Sequence, residues 1–303
     1  MNLRRIVLLV GLVLLGILQC FSTIQNISDC GQSLISTNSL FLLNQSINDS
    51  GGTCIWLGTD EDDSILDCQG FNITDLGGTT YGIRVDSNVE NITIRNCNVY
   101  GFTRGMFTGG SMIEVYNSTF FNTQLELELN NVILRNSLLN NVLLELNDGL
   151  SNSTFDKLTF ENDSNIQMSN VVNSTFTNLD LRNLSSPLFM YSESDNNNFY
   201  NVSISDLFFL SGSTNNSFVN SSFDSSISSS NWSQTLNFFE NNSYVSSIIN
   251  GSGCIITAQP EVICDTGIWS IMSLVTNQPT TSSLFPFLSL YSVVMFLGLY
   301  FLL

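Results

Sequence analysis

At 303 residues the chain carries 26 Asp and Glu against 8 Lys and Arg, for a formal net charge of −18 at pH 7. Such a surface repels nucleic acid, which is not expected as a partner. The absence of His excludes His-based triads and His metal sites.

Only 11% of residues are charged. Polarity falls to Asn, Ser and Thr, neutral groups whose solvation survives in an acidic exterior.

Residues 1–22 read as a secretory signal. Arg4 and Arg5 supply the charged start, Ile6 to Leu18 the apolar run, and Cys20-Phe21-Ser22 a small-x-small cleavage site. That run is short of the roughly 20 residues that a bilayer requires. Once Cys20 leaves, six Cys remain, an even number that suits disulfides in an exported protein.

Residues 23–54 do not carry the phrase that dominates the rest. They read as an N-terminal cap over an otherwise open sheet end, pinned by a Cys30–Cys54 disulfide.

From residue 91 to 244 one short phrase returns, an apolar anchor with Asn two places on. The anchors are Ile94, Val115, Leu134, Phe155, Phe176, Phe199, Phe218 and Phe239, at intervals of 19 to 23 residues. Their partners are Asn96, Asn117, Asn136, Lys157, Asn178, Asn201, Asn220 and Asn241. A fixed period of this length is the signature of a solenoid.

Leu125-Glu126-Leu127-Glu128-Leu129 shows strand alternation, Leu inward and Glu outward. About three such strands fit one period. With Ile65 as an earlier anchor, nine coils stacked ~4.8 Å apart make a rod of about 43 Å. The anchors are expected to pile up inside it. The Asn partners are expected to share their inward parity at a bend, bonded amide to amide, with Lys157 breaking the ladder.

The stretch Leu66-Asp67-Cys68-Gln69-Gly70-Phe71-Asn72-Ile73 is followed by Tyr81-Gly82-Ile83, by Asn91-Ile92-Thr93-Ile94-Arg95-Asn96-Cys97 and by Gly101-Phe102. Here residues 28–245 resemble the parallel β-helix repeat proteins of the pectate-lyase-like superfamily, most closely the NosD-like and archaeal cell-surface branch. The resemblance implies an all-β, right-handed parallel β-helix over residues 55–245. It implies no particular activity, because such coils host adhesins, lyases, hydrolases and spikes alike. The His-containing signatures of polygalacturonases and mannuronan epimerases are missing, and no copper ligands carry over. Cys68 and Cys97 hold one position in successive phrases, where they either stack as thiols, the expected outcome, or form a disulfide.

Beyond Tyr244 the phrase stops. Cys254 and Cys264 read as a disulfide-closed cap over residues 246–270, followed by a polar stalk at 271–283. Residues 284–303 read as an uncharged apolar helix, long enough to span a membrane. A cleaved lipid-anchor signal is the alternative, although the polar spacer of about 8–12 residues that it needs is missing. The expected location is therefore the extracellular face of the cell membrane.

Sequons of the form Asn-x-Ser/Thr occur 16 times. Asn26, Asn44, Asn48, Asn162, Asn183, Asn215, Asn231 and Asn250 are the expected glycosylation sites. Asn117, Asn201, Asn220 and Asn241, on the inward ladder, are expected bare.

An outward column Arg95, Tyr116, Arg135, Asp156, Thr177, Tyr200 is the candidate glycan-contact surface. Glu126, Glu128 and Glu145 are the candidate catalytic carboxylates. The local interval of 19 residues aligns Glu145 with Glu126, and the shared Leu-Glu-Leu-Asn wording aligns it with Glu128. Either way two carboxylates stack at about the spacing of a retaining glycosidase. No cofactor is expected, although the same oxygens suit Ca2+. The leading functional expectation is a glycosylated, anchored surface rod that binds glycans or neighbouring surface proteins. The alternative is a polysaccharide-cleaving hydrolase or lyase.

Overall fold

The computed structural model describes residues 23–250 except 35, 50, 59–61, 78–80, 148, 192, 210–212, 225–226, 230–236, 241 and 245–248. The leader, the Cys254–Cys264 cap, the stalk and the apolar tail all lie outside the described residues, as do Asn231 and Asn241. Contacts divide the chain into Met1–Met272 and Ser273–Leu303, and only the first unit contains described residues.

The described residues form a right-handed parallel β-helix. Their strands, two to nine residues long, pair in parallel with the coil before and the coil after. A first sheet holds 11 strands and a second holds 19. The second sheet consists of two strand columns, which the nine-residue strands Thr119–Leu127 and Leu138–Leu146 run through without a break. Each coil thus contributes three short segments, and the rest of the coil serves as the crossover that parallel strands require.

Alternation along each strand explains the core. In Thr154–Asp156, Thr175–Thr177 and Asn198–Tyr200 only the central Phe is buried. The register stacks Leu134 on Phe155, then Phe176, Phe199, Phe218 and Phe239. The rings of Phe155, Phe176, Phe199 and Phe218 lie 4.4 to 4.8 Å apart and within 9° of parallel. Each ring buries on the order of 150–250 Å², so this column supplies much of the hydrophobic drive of its half.

Towards the N-terminus the column continues through Val115 and Ile94 to Leu66 and Phe41. Leu66, not Ile65, is the earlier anchor, because the longer loop before Ile94 shifts parity by one residue. Coils also begin before the repeated phrase does. Phe41 pairs with Leu66 and Ile55 with Ile83, so residues 39–57 stack in register with the next coil rather than lying across it. The Cys30–Cys54 disulfide is present. Cys68 and Cys97 are also joined, not stacked as thiols; one position in successive coils brings their Cα atoms to 4.8 Å, within bridging reach.

The Asn partners do not face inward. Asn117, Asn136, Asn178, Asn201 and Asn220 are exposed, and all have left-handed backbone, as does the half-buried Asn96. The bend that Asn tolerates resets the two-residue alternation. The residue after the bend turns inward instead. A second left-handed series, Asn91, Met112, Asn131, Asn152, Asn173, Asn196 and Asn215, stands three residues before each anchor. Each first-sheet strand from that of Ile94 to that of Phe218 is therefore framed by two corners.

The polar ladder inside the rod is built from the residues next to those corners. Val132 N–H donates to Ser153 Oγ, Ser153 N–H to Ser174 Oγ, and Ser174 N–H to Asn197 Oδ1. Asn197 and Asn216 continue it, each donating both backbone N–H and side-chain amide to the Oδ1 one coil on. These donors are buried, and each would otherwise lack a partner at a cost of about 1–3 kcal/mol.

Candidate functional site

Two outward columns are candidates for recognition chemistry. The first is the expected one. Arg95, Tyr116, Arg135, Asp156, Thr177 and Tyr200 stand in unbroken register on the first sheet. Their functional groups are largely engaged with one another. Arg95 pairs with Asp67 at 2.8 Å and donates to the Tyr116 hydroxyl. Arg135 lies 4.5 Å over the Tyr116 ring and pairs with Glu114. Burial pushes the Asp67 carboxyl up, but hydrogen bonds from Asn96, the Gln69 N–H and Arg95 outweigh it and hold it below the usual carboxylate range. Asp156 is likewise raised by burial and lowered further by Asn178, Thr177 and Lys157.

The second column runs along the second sheet. In register it reads Trp56, Arg84, Phe107, Glu126, Glu145, Gln167, Phe189 and Phe208. Beside it lies a shorter column of Tyr81, Arg104 and Gln124. Gly82 and Gly105, the residues after Tyr81 and Arg104, make this packing possible. A Cβ on Gly82 would sit 2.7 Å from the Gly105 carbonyl oxygen, and one on Gly105 would sit 2.7 Å from the Thr123 side chain.

Outside that backbone the side chains interlock. Arg104 donates to the Tyr81 hydroxyl at 2.9 Å, and both Arg84 and Arg104 lie over the Tyr81 ring. Phe107 meets Tyr81 edge-on, with centroids 5.9 Å apart. Arg104 Nε approaches Glu126 Oε2 to 2.6 Å, yet neither atom makes a directed hydrogen bond, so the contact is an ion pair with off-axis geometry. Trp56 remains 41% exposed at one end, and Phe189 packs against Phe208 and Tyr191 towards the other.

Glu126 and Glu145 are neighbours across the strand pair, so the alignment from the local interval holds. Glu128 lies beyond the last paired residue, because the two long strands run side by side without a bulge and leave no room for a two-residue slip. Gln124 donates to Glu145 at 2.6 Å. Among the described residues no three acidic or thiol side chains gather in a way that would hold a metal ion. A depression of about 430 Å³ lies elsewhere, beside Lys157, Glu161 and Asp180.

Sequence reasoning missed Trp56, Tyr81, Arg84, Arg104 and Phe107. A signal for them existed. Tyr81-Gly82-Ile83-Arg84 and Arg104-Gly105-Met106-Phe107 are one phrase repeated, and aligning them superposes Tyr81 on Arg104 and Arg84 on Phe107.

No family model and no curated protein matches the sequence. Solved structures superpose on part of the chain. An alginate lyase from Paenibacillus sp. superposes with a TM-score of 0.46 at 7% identity, over 76% of this chain and 98% of its own. The A-module of the mannuronan C-5 epimerase from Azotobacter vinelandii gives 0.37 at 7% identity, over 77% and 90%. A tailspike of Acinetobacter baumannii bacteriophage Fri1, a capsular polysaccharide depolymerase, gives 0.35 at 13% identity, over 76% and 51%. The described residues have the right-handed parallel β-helix fold.

Proposed function

We propose that the protein recognises an extended polysaccharide along the second-sheet column from Trp56 to Phe208. The observation that carries this reading is the order of groups in that one column. Aromatic rings stand at both ends, and Arg84, Glu126, Glu145 and Gln167 lie between them. Sugar rings stack their C–H faces on aromatic rings, and their hydroxyls pair with carboxylates, guanidinium groups and amides. At ~4.8 Å per strand the column spans about 34 Å, room for several sugar units in line. The preformed contacts among Tyr81, Arg84, Arg104 and Phe107 spare most of the ordering cost of binding. The leader and apolar tail support display of this rod outside the cell, held by the tail at the membrane.

The test is retention on a panel of immobilised neutral and acidic polysaccharides. Trp56→Ala is expected to weaken binding roughly 10-fold or more, the effect of losing an aromatic anchor. Binding that survives Trp56→Ala and Phe107→Ala together overturns the reading.

A second reading, cleavage, is favoured by one observation: Glu126 and Glu145 are direct cross-strand neighbours. That spacing approaches the carboxylate separation of retaining glycosidases, about 5–5.5 Å. Arg104 is ion-paired with Glu126 and Gln124 donates to Glu145, so either carboxyl group would have to leave its present partner to act on a substrate. New reducing ends or unsaturated ends that vanish in Glu126→Gln and Glu145→Gln support cleavage. Retention without products leaves recognition alone.

A further inference from the structure

The 16 sequons divide by burial in a way that their number alone does not require. Asn231 and Asn241 lie outside the described residues and the Asn250 side chain is not described; the other 13 sequon asparagines are all exposed. The buried asparagines Asn197, Asn216, Asn237 and Asn242 begin no sequon.

Most of the exposed set belongs to the two left-handed corners that frame the first sheet. Asn91, Asn152, Asn173 and Asn215 stand at the corner before the anchor, and Asn117, Asn201 and Asn220 at the corner after it, all with φ between 51° and 57°. At these corners the sequon has a structural origin. The Asn makes the bend and the middle residue turns inward, as Ser118, Ser153, Ser174 and Ser221 do. The third residue enters the strand facing outward, as Thr119, Thr154 and Thr175 do. The corner thus presents both the amide and the hydroxyl that N-glycosylation reads.

The strands that carry the recognition column, such as Tyr81–Val85, Arg104–Thr108 and Leu188–Met190, begin no sequon, and neither does any residue from Thr123 to Leu146.

We propose that the corner asparagines carry N-linked oligosaccharides, which fence both edges of the first sheet and leave the second-sheet column bare. The donor is an oligosaccharide linked through pyrophosphate to a lipid. The Asn Nδ2 forms a bond to the anomeric carbon as the bond from that carbon to the pyrophosphate oxygen breaks. The lipid pyrophosphate departs with the electron pair, the amide gives up one proton, and no redox change occurs. Asn117, Asn201 and Asn220, expected bare from sequence alone, become principal sites. The Arg95–Tyr200 column ends up between two rows of glycans, which disfavours it as the contact surface for a long polymer.

The test expresses the full chain with its own leader in a eukaryotic secretory cell. Glycans are then removed with an amidase in heavy-oxygen water, so each occupied Asn becomes a labelled Asp that peptide mass spectrometry reads. Label is expected at Asn117, Asn152, Asn201 and Asn220. Thr119→Ala and Thr154→Ala, which leave the bending Asn in place, are each expected to remove one glycan from the intact mass. A secreted, folded chain with no label at any corner overturns the proposal, as does label confined to Asn26, Asn44 and Asn48. If the native leader leaves the chain inside the cell, a version with a host leader decides; unlabelled corners there overturn it equally. Polysaccharide binding by the deglycosylated protein is read separately, so failure here leaves the recognition column standing.

Discussion

The coils before and after about residue 150 share one backbone winding but are held by different chemistry. In the earlier half Phe41 begins the anchor column, the anchors that follow are aliphatic, Leu66, Ile94, Val115 and Leu134, and Phe102 and Phe120 fill other parts of the cross-section. Two disulfides tie successive coils there, and Arg84, Arg95, Arg104 and Arg135 are all ion-paired on the outside. In the later half parallel Phe rings fill the axis, and the buried Ser ladder that both halves share gains the side-chain amides of Asn197 and Asn216. A solenoid needs only nearest-neighbour cohesion between repeats. Covalent and ionic ties can therefore substitute for repetition, and repetition for them. Varied outward chemistry is found where cohesion does not depend on every coil being the same, and the interlocked part of the candidate recognition column, from Tyr81 to Glu145, lies there.

The sharpest way to break this comparison is Phe176→Ala. Removing one ring from the stack is expected to cost about 3–5 kcal/mol, read by urea unfolding. Hydrogen exchange should show the loss centred on the coils of Phe155 and Phe199, whereas an unchanged melting temperature would mean that the rings are not the axis of that half. Next comes Cys68→Ser combined with Cys97→Ser. Opening this loop should cost about 2–4 kcal/mol and raise exchange in the earlier coils, while amides near Phe199 keep their protection.

Asn216→Ala removes the acceptor of the Asn197 N–H and amide and should cost about 1–3 kcal/mol. Asn216→Ser should recover part of it, since Ser174 and Ser153 occupy the same column.

The smallest effect is electrostatic and belongs to the earlier half. Asp67 is held below its ordinary value in the folded chain, so its contribution is fully present above the unfolded pKa, about 3.9. It is lost as the pH falls through the depressed folded value. The stability difference between wild type and Asp67→Asn should stay level from neutral pH to about pH 5 and shrink only below about pH 4. A difference that shrinks near neutral pH would mean that Asp67 is not the group titrating.

Much of this molecule was legible in its letters. The recurring anchors announced the solenoid, their stacking order from Ile94 to Phe218 and the Arg95–Tyr200 column, because one strand per coil repeats at a nearly constant interval. Cys30 and Cys54 announced their bridge. Tertiary structure alone decided which way the residues beside a bend point. Each left-handed corner resets the alternation of the strand, so Asn117 and Asn201 face water while Ser118 and Asn197 face the core. It also decided that Leu66 rather than Ile65 continues the axis, and that Trp56 and Tyr81 share a face with Phe107. In these cases loops of unequal length intervene between coils. Spacing along the chain then ceases to measure height along the rod, and only the pairing of backbone N–H and C=O groups restores it.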